Sequence, residues 1–326
     1  MKVGIGLYPT GSATEVLATA VEAERLGFDE LALGDSHLIW RELYTLLGAI
    51  AVRTTRIGIG PGVTHPLVRH PSLTASALAT LTQLAPGRVR LGFGIGDSGP
   101  VNMGLRRATL EELRAATIFI RHLLAGETAS YADHSMGIGG SSEAVPILIA
   151  GASDAALRIA GEVGDGALMA GPLDEVNESM AVVDEAAAAA GRPPGSVSRI
   201  VWTTGSVSED AAVARDAVRP VVARKALFTL RVAARANTIA PEDVEPLRRL
   251  AEAYDFRKHM EPEHSHLVLD RWIDRFALAG TPATVLQRCR DLRAAGADGL
   301  IVVLHGDDRL AQMRSLADAV LPGLRA

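Results

Sequence analysis

Short apolar segments alternate with long amphipathic segments along this chain. Eight segments have the apolar, turn-bounded pattern of buried strands: residues 3–7, 29–33, 56–60, 89–95, 146–150, 166–170, 199–204 and 298–304. Seven of them are followed by a stretch with helical periodicity, which is typical of repeated βα units. Eight such units predict an α/β fold, a closed TIM-type parallel barrel, whose active site is built from the loops at the carboxyl ends of the strands.

Capping signals mark two of the predicted helices. Ser12 precedes the helical pattern of residues 13–26. Thr109 opens residues 109–124, with Glu112 three residues later, which is a capping-box pattern. We therefore expect helices to begin at these two positions.

A glycine turn recurs before three of the predicted strands, at Gly27, Gly164 and Gly296. A glycine just past a helix can take the left-handed conformation and return the chain to a strand. We expect all three turns to do so at the end of the barrel opposite the active site, where they serve stability.

Two stretches interrupt the alternation of strands and helices. Residues 125–144 are rich in Gly and Ser, and residues 224–280 contain helical pieces but no convincing strand. We interpret both as excursions, after strands four and seven, from a single barrel domain spanning residues 1–326. The second is long enough to cover the mouth of the barrel as a lid. A packed helical appendage or a dimer surface fits the same pattern.

Composition and charge narrow the class of protein. The chain has 326 residues, 48% of them apolar, and its net charge of −5 gives no electrostatic signature for binding nucleic acid. The single cysteine, Cys289, excludes an internal disulfide framework and is expected to be a packed, inert thiol. A strand starting at residue 3 leaves no room for a signal peptide, and no apolar stretch is long enough to span a bilayer. We therefore expect a soluble cytoplasmic protein.

Polar residues follow the second predicted strand, where the chain runs Gly34-Asp35-Ser36-His37 ahead of Trp40. In a barrel this position lies on the catalytic face, so Asp35, Ser36, His37 and Trp40 are the candidate catalytic residues. Trp40 could form an apolar wall for a planar ligand. The alternative is that Asp35 or Ser36 simply caps the next helix.

The third and fourth strands run into glycine-rich segments. After strand three, Gly60-Pro61-Gly62 allows a sharp bend or the close approach of a flat ligand. After strand four, the segment Gly94-Ile95-Gly96-Asp97-Ser98-Gly99 matches the dinucleotide pattern GxGxxG. That pattern normally follows the first strand and needs an acidic partner at a later strand end, which is missing here. We expect instead a loop that admits part of a cofactor.

The fifth strand ends in Gly151-Ala152-Ser153, directly before a helical pattern. Backbone N–H groups at a helix N-terminus form an anion site, although an ordinary Ser-capped helix fits equally. Gly171 and Pro172 follow the neighbouring sixth strand, and two adjacent strand-end glycines favour a phosphate pocket. We therefore expect Gly151→Asp to weaken cofactor binding far more than stability.

No metal site is predicted from the sequence. His259, Glu261, Glu263, His264 and His266 have side chains that can bind metals. Their spacing fits no standard metal site, so we interpret this segment as a solvated loop.

Five motifs run in order over nearly the whole chain: Gly34-Asp35-Ser36 with Trp40-Arg41, Pro61-Gly62-Val63-Thr64-His65-Pro66 with Arg69-His70-Pro71, Gly94-Ile95-Gly96-Asp97-Ser98, Gly151-Ala152-Ser153, and Arg275-Phe276-Ala277-Leu278-Ala279-Gly280-Thr281-Pro282. Together they resemble the motifs of the bacterial luciferase-like flavin and deazaflavin enzymes. The subgroup most similar to this chain is that of the methylenetetrahydromethanopterin reductase-like proteins, which use the deazaflavin coenzyme F-420.

The resemblance implies a flavin or deazaflavin ring across the strand ends, with a non-prolyl cis peptide behind it at Gly62–Val63. It implies the cofactor-binding residues Asp35, Gly62, Val63, Thr64, Gly96, Asp97, Ser98, Gly151, Ala152, Ser153, Gly171 and Pro172. Related deazaflavin dehydrogenases carry His directly after the strand-two Asp, whereas this chain has Ser36 and then His37. The proton-transfer role therefore stays open among Asp35, Ser36 and His37.

Three functions are compatible with these observations. The first is an oxidoreductase that moves a hydride between coenzyme F-420, an 8-hydroxy-5-deazaflavin, and a small organic substrate. The second is an FMN-dependent monooxygenase of the same family. The third is a cofactor-free barrel that acts as a binding or regulatory subunit. We also expect a homodimer, and neither nucleic acid nor a membrane as a partner.

Overall fold

The computed structural model describes residues 1–139, 143–235, 239–254 and 262–325. Its strands are β1 (Lys2–Leu7), β2 (Glu30–Leu33), β3 (Gly58–Pro61), β4 (Leu91–Phe93), β5 (Ala129–Tyr131), β6 (His134–Met136), β7 (Ile147–Gly151), β8 (Gly166–Met169), β9 (Ser198–Val207), β10 (Ala277–Gly280) and β11 (Gly299–Leu304).

Its α-helices are α1 (Ala13–Arg25), α2 (Leu43–Ala51), α3 (Pro71–Leu84), α4 (Ser98–Val101), α5 (Leu110–Leu124), α6 (Asp154–Val163), α7 (Val176–Ala189), α8 (Ala211–Arg235), α9 (Pro241–Ala253), α10 (Asp270–Phe276), α11 (Pro282–Ala294) and α12 (Arg309–Arg325). Two short 3₁₀ helices cover Leu173–Glu175 and Pro262–Leu267. None of the helices in the described ranges is long and apolar enough to cross a membrane.

Eight strands form a nearly closed parallel barrel in the order β3-β2-β1-β11-β9-β8-β7-β4. Two isolated bridges, Ile59–Val89 and Thr64–Phe93, bring the two ends of this order together. Each of the eight predicted segments overlaps one of these strands, so the predicted barrel is confirmed.

The contacts within the chain divide it into two compact units. The first consists of Met1–Ala170, Asn177–Trp202 and Gly296–Ile301, and the second of Gly171–Val176, Thr203–Ala295 and Val302–Ala326. The interpretation of the chain as a single domain stays a prediction.

The core of the first unit includes an apolar cluster on the barrel strands. Ala32, Leu148, Leu168 and Ile301 are its buried members. Parallel strands with both faces covered have nearly continuous apolar sequences, which is why these segments were recognisable in the sequence. Both predicted caps are also confirmed, because Ser12 and Thr109 each form a complete capping box at the start of α1 and α5.

Three aspartates fix neighbouring strands to one another at the amino end of the barrel in the first unit. The Oδ2 atoms of Asp29, Asp165 and Asp298 accept hydrogen bonds at 2.8 Å from backbone N–H groups at the start of a neighbouring strand. The donors are Val3, Ile147 and Arg199. These aspartates follow the recurring glycine turns, so the turns stabilise the barrel as expected.

The conformation predicted for these turns is correct at two positions and wrong at the third. Gly27 and Gly296 have positive φ angles of 89° and 104°. Gly164 instead has an extended conformation, with φ −84° and ψ 159°. A Cβ there would lie 2.9 Å from the carbonyl oxygen of Ala160, so close backbone approach explains this glycine.

The prediction that residues 224–280 contain no convincing strand is wrong, and the other excursion contains two strands that the sequence did not predict. Residues 125–144 contain the antiparallel hairpin of β5 and β6, and residues 224–280 end in β10, which pairs in parallel with β9. The sequence of β10, Ala-Leu-Ala-Gly, is short and has no β-branched residue. It gains its strand conformation from hydrogen bonding to a neighbour that is distant in sequence.

The second unit has its own helical core. Residues of α8, α9 and α10 pack together, with Leu227, Leu250, Trp272 and Phe276 among the buried members. This packing agrees with a helical appendage for the described part of the excursion, while residues 236–238 and 255–261 lie outside the described ranges. A lid role stays a prediction. Cys289 of α11 is buried, which raises the pKa of its thiol to about 12 and confirms the packed, inert thiol.

His305, directly after β11, makes the second unit sensitive to acid. Burial, together with Lys225 and Arg309, lowers the pKa of His305 from 6.5 to about 4. The unfolded chain therefore takes up a proton between these pH values that the folded chain does not. Stability should be complete above about pH 6.5 and fall as the pH decreases toward 4. The difference between 6.5 and 4 corresponds to a loss of up to about 3 kcal/mol.

We predict that His305→Gln flattens this pH dependence, because glutamine does not titrate. Urea unfolding near neutral pH and at about pH 4.5 would measure it. His134→Gln, at an exposed position of β6, is the matched control and should keep the wild-type dependence. An acid-induced loss of the same size in His305→Gln would contradict the assignment.

Candidate active site

A buried carboxylate lies at the carboxyl end of β2. Asp35 Oδ2 accepts a hydrogen bond from Thr64 Oγ1 at 2.6 Å and forms an ion pair with Arg69 Nη1 at 2.5 Å. The Asp35 side chain is only 2% exposed. Arg69 Nη2 also contacts Glu42 Oε1 at 2.7 Å. A carboxylate with so little access to water needs such partners, and here they join the loops after β2 and β3.

The peptide bond between Gly62 and Val63 is cis, which confirms the geometry implied by the resemblance. A Cβ on Gly62 would lie 2.6 Å from the Cβ of Ala32 and 2.8 Å from Cη2 of Trp202. Only glycine therefore fits here without displacing the indole ring. Trp202 is only partly buried, so the cis bond and an aromatic surface lie beside each other in the barrel.

The imidazole of His65 explains two of the three glycines in the GxGxxG pattern. A Cβ on Gly96 would lie 2.8 Å from His65 Cγ, and one on Gly99 would lie 2.7 Å from His65 Nε2. A Cβ on Gly94 would make only an ordinary 3.4 Å contact with Val63 Cγ2. The pattern therefore has a packing cause: the loop after β4 closes onto the ring.

His65 is itself a buried polar group in the site. It is 3% exposed, and its Nδ1 has no hydrogen-bond partner among the residues described. Burial lowers the pKa of His65, and the nearby Asp35 carboxylate only partly opposes this effect. The ring is therefore neutral near neutral pH and presents one donor and one acceptor nitrogen.

The remaining candidate catalytic residues lie on the same loop as Asp35. Ser36 is 1% exposed, and its Oγ has no hydrogen-bond partner in the described part of the chain. His37 is half-buried, and Trp40 stacks on Tyr8. Neither Asp35 nor Ser36 caps a helix, because α2 is capped by Glu42. The alternative of a simple capping role is therefore wrong.

The predicted anion site at Gly151-Ala152-Ser153 lies where β7 meets α6. Ala152 and Ser153 are exposed, and Ser153 Oγ accepts a long hydrogen bond of 3.4 Å from the N–H of Ala156. A Cβ on Gly151 would lie 2.3 Å from the Cβ of Ala156. A side chain there collides with α6 and should cost stability of its own, while the larger effect of Gly151→Asp on cofactor binding stays a prediction.

Among the other predicted tail contacts, only Asp97 is charged. Asp97 precedes Ser98 at the start of α4 and pairs with Arg107 Nη2 at 2.5 Å, which offsets the carboxylate charge beside Gly96. Gly171 and Pro172 belong to the second unit, where Pro172 precedes a 3₁₀ helix. Their contact with a phosphate group stays a prediction.

Within the first unit, the structure brings three strand-end loops together. Thr64 contacts Asp35 through its hydroxyl. A Cβ on Gly99 would lie 3.2 Å from the carbonyl oxygen of Asp35, and one on Gly94 would lie 3.6 Å from the Cβ of Ala150 on β7. The loops after β2, β3 and β4 thus form one polar cluster that borders β7.

Sequence analysis does not identify several residues in and around this cluster. Arg69 and His65 were noted only as parts of motifs, and Tyr8 and Trp202 were not identified. The available signal for Arg69 was its place near strand three, since a buried carboxylate requires a cation within reach. Trp202 lies inside a predicted strand, where the sequence does not distinguish a core side chain from one facing a ligand.

A separate cavity of about 300 Å³ lies at the amino ends of the strands. Lys2, Glu30, Arg90 and Ser198 are among its lining residues. These residues lie at the opposite ends of the strands from Asp35, so the cavity is not part of the candidate site.

Metal ligation was not predicted, and the described ranges contain no group of three or more His, Cys, Asp or Glu that could hold a metal ion. His259, Glu261 and the side chain of Glu263 lie outside those ranges. His264 is buried and contacts the Tyr254 ring, with 4.7 Å between the ring centroids. The solvated-loop interpretation is therefore wrong for His264.

The fold and the site together define a βα-barrel protein with a polar candidate site at the carboxyl ends of its strands. The chain belongs to the luciferase-like monooxygenase family, whose model matches residues 1–299. FMN-binding monooxygenases share this fold.

Individual relatives resemble the chain over nearly their whole length. It is 29% identical to 5,10-methylenetetrahydromethanopterin reductase of Archaeoglobus fulgidus, with 100% of both chains covered. It is 27% identical to F-420-dependent glucose-6-phosphate dehydrogenase of Microbacterium testaceum, covering 95% of this chain and 93% of the relative. The coenzyme F-420-dependent tetrahydromethanopterin reductase from Methanopyrus kandleri superposes with a TM-score of 0.85 at 25% identity, with 98% of each chain covered.

The packing of His65 leads to a testable difference between two glycines of the GxGxxG pattern. We predict that Gly99→Ala lowers the free energy of unfolding by about 1–3 kcal/mol, because the new methyl group collides with the imidazole. Gly94→Ala is the matched control and should change it by less than about 0.5 kcal/mol. Urea unfolding without cofactor measures both, and equal effects would contradict the proposed packing.

Proposed function

We propose that this protein is an oxidoreductase that transfers a hydride between coenzyme F-420 and a small organic substrate. The observation that carries the proposal is the buried Asp35–Thr64–Arg69 cluster at the carboxyl ends of the barrel strands. The similarity to F-420-dependent enzymes over nearly the whole chain supports the choice of cofactor.

The residues of the site fit such a cofactor. Gly62 leaves a flat surface beside Trp202 on which a planar ring can pack. The buried Ser36 hydroxyl would bond to a polar atom of the ring. The exposed Ala152 and Ser153, at the N-terminus of α6, would bind an anionic tail through backbone N–H groups. When bound, a deazaflavin supplies a carbon that accepts or donates a hydride, so two electrons move together.

We assign the proton that accompanies the hydride to His37. Asp35 is poorly suited to carry it, because its Oδ2 already accepts bonds from Thr64 and Arg69. Asp35 would instead orient the loop that holds Ser36. In the reducing direction the hydride goes to a carbon of a C=X bond and the proton from His37 goes to X, which gives H–C–X–H. In the oxidising direction His37 would accept the same proton.

FMN-dependent monooxygenation is the second candidate, favoured by the family to which the chain belongs. Two titrations separate the possibilities. Binding to the purified protein should perturb the absorption spectrum of F-420. The spectrum of FMN should stay unchanged when FMN is added to the protein. FMN binding with oxygen consumption would establish the monooxygenase instead. Binding of neither cofactor would favour the cofactor-free subunit.

We predict that His37→Gln slows hydride transfer about 100-fold or more without weakening F-420 binding, because only the proton carrier is removed. Glucose 6-phosphate, 2-propanol and methylenetetrahydromethanopterin are tested as substrates. The pH profile of the rate is then measured with a compound that the wild-type protein turns over. His134→Gln is the control. A His37→Gln enzyme with the wild-type rate and pH profile would contradict this role.

The proposal extends to the cellular state of the protein. We propose a homodimer in the cytoplasm. The exposed Val52 after α2 and Leu73 and Leu84 on α3 support an apolar contact surface. Sedimentation equilibrium giving the mass of one chain at micromolar concentration would contradict the dimer.

A further inference from the structure

Two aromatic rings stack face to face at the carboxyl ends of β1 and β2. Tyr8 and Trp40 stack with ring centroids 4.6 Å apart and an interplanar angle of 9°. A Cβ on Gly34 would lie 2.7 Å from Trp40 Cζ3 and 2.9 Å from Tyr8 Cδ1. The glycine at the end of β2 therefore allows the pair to lie across the strand ends. We call Tyr8 and Trp40 the aromatic pair.

Backbone hydrogen bonds hold the aromatic pair in place. The N–H of Trp40 donates to the carbonyl of Ser36 at 2.8 Å. The next residue, Arg41, donates from its N–H to Pro9 at 3.2 Å and from its Nε to Gly11 at 2.9 Å. These bonds join the loop that carries Trp40 to the loop that carries Tyr8. A surface fixed before binding loses little conformational entropy when a ligand packs on it.

The surroundings of the aromatic pair indicate what it can bind. Both rings are only partly buried, so part of each is accessible. Leu38 and Ile39, on the loop between Asp35 and Trp40, are 59% and 50% exposed. The Asp35 carboxylate, in contrast, is already paired with Arg69. This side of the site therefore offers apolar and aromatic surface to a ligand.

We infer that Tyr8 is a specificity-determining residue, which with Trp40 binds a flat, unsaturated ring of the substrate. Aromatic faces attract other flat rings through stacking and apolar contact, and they discriminate poorly in favour of puckered or highly hydroxylated rings. The reducible bond of the substrate is then conjugated to that ring or attached to it. This inference rests on the proposed hydride transfer and names the class of its substrate.

Two aldehydes that differ only in ring flatness test this inference. 2-Naphthaldehyde and decahydro-2-naphthaldehyde carry the same reducible group on a flat or a puckered bicyclic ring. Equilibrium binding to the F-420-loaded protein, followed by calorimetry, does not require turnover. We expect the flat aldehyde to bind at least about tenfold more tightly. Equal affinities in the wild-type protein would overturn the inference.

Variants of Tyr8 test whether this residue causes the preference for the flat aldehyde. Tyr8→Leu should remove most of it, whereas Tyr8→Phe, which keeps the ring, should retain it. Tyr131→Leu, a tyrosine on β5 whose ring contacts Phe119, is the matched control. Retained preference in Tyr8→Leu, with unchanged F-420 affinity, would overturn the role of Tyr8. Failure of the wild-type protein to bind F-420 would instead contradict the proposed function. The two negative results are therefore distinguishable.

Discussion

The buried carboxylate of Asp35 is the constraint on which the candidate site depends. With 2% of its side chain exposed, it cannot be solvated by water and must be bonded by the protein. Thr64 and Arg69 provide those bonds, and Thr64 also forms the backbone bridge to Phe93 that helps to close the barrel. Removing one partner of such a buried pair typically costs about 3–5 kcal/mol. The charge in the site and the closure of the barrel are therefore coupled through one residue.

Around this carboxylate, glycines shape the site as much as the larger residues do. Gly34 makes room for the aromatic pair, Gly62 for Trp202, and Gly99 for the ring of His65. In each case a Cβ would lie within 2.9 Å of a ring atom, closer than packed atoms can approach. The loops after β2, β3 and β4 can approach one another because glycine occupies the contact points. The glycine-rich sequence at these strand ends is therefore explained by close packing, without a nucleotide-binding fingerprint.

The residues at the amino end of the barrel stabilise the fold, whereas those at the carboxyl end form the candidate site. At the amino end, Asp29, Asp165 and Asp298 bond to backbone N–H groups of adjacent strands and so fix the strand register. At the carboxyl end, Ser36 and His65 keep buried polar atoms without partners in the described part of the chain. Unsatisfied buried polar groups cost stability, so these two atoms need an explanation, and a ligand bound at this end of the barrel would supply one. The fold alone does not identify that ligand, because one barrel supports many chemistries.

The sequence by itself determined the eight barrel strands, the helix caps at Ser12 and Thr109, and the loop carrying Asp35. Each of these depends on local signals: apolar runs, caps, and polar residues directly after a strand. Only the tertiary structure decided that β10 is a strand, that Gly164 is extended, and that two glycines pack on His65. It also placed Trp202 beside Gly62. These features depend on contacts between residues far apart in the chain, which no local pattern of hydrophobic and polar positions encodes.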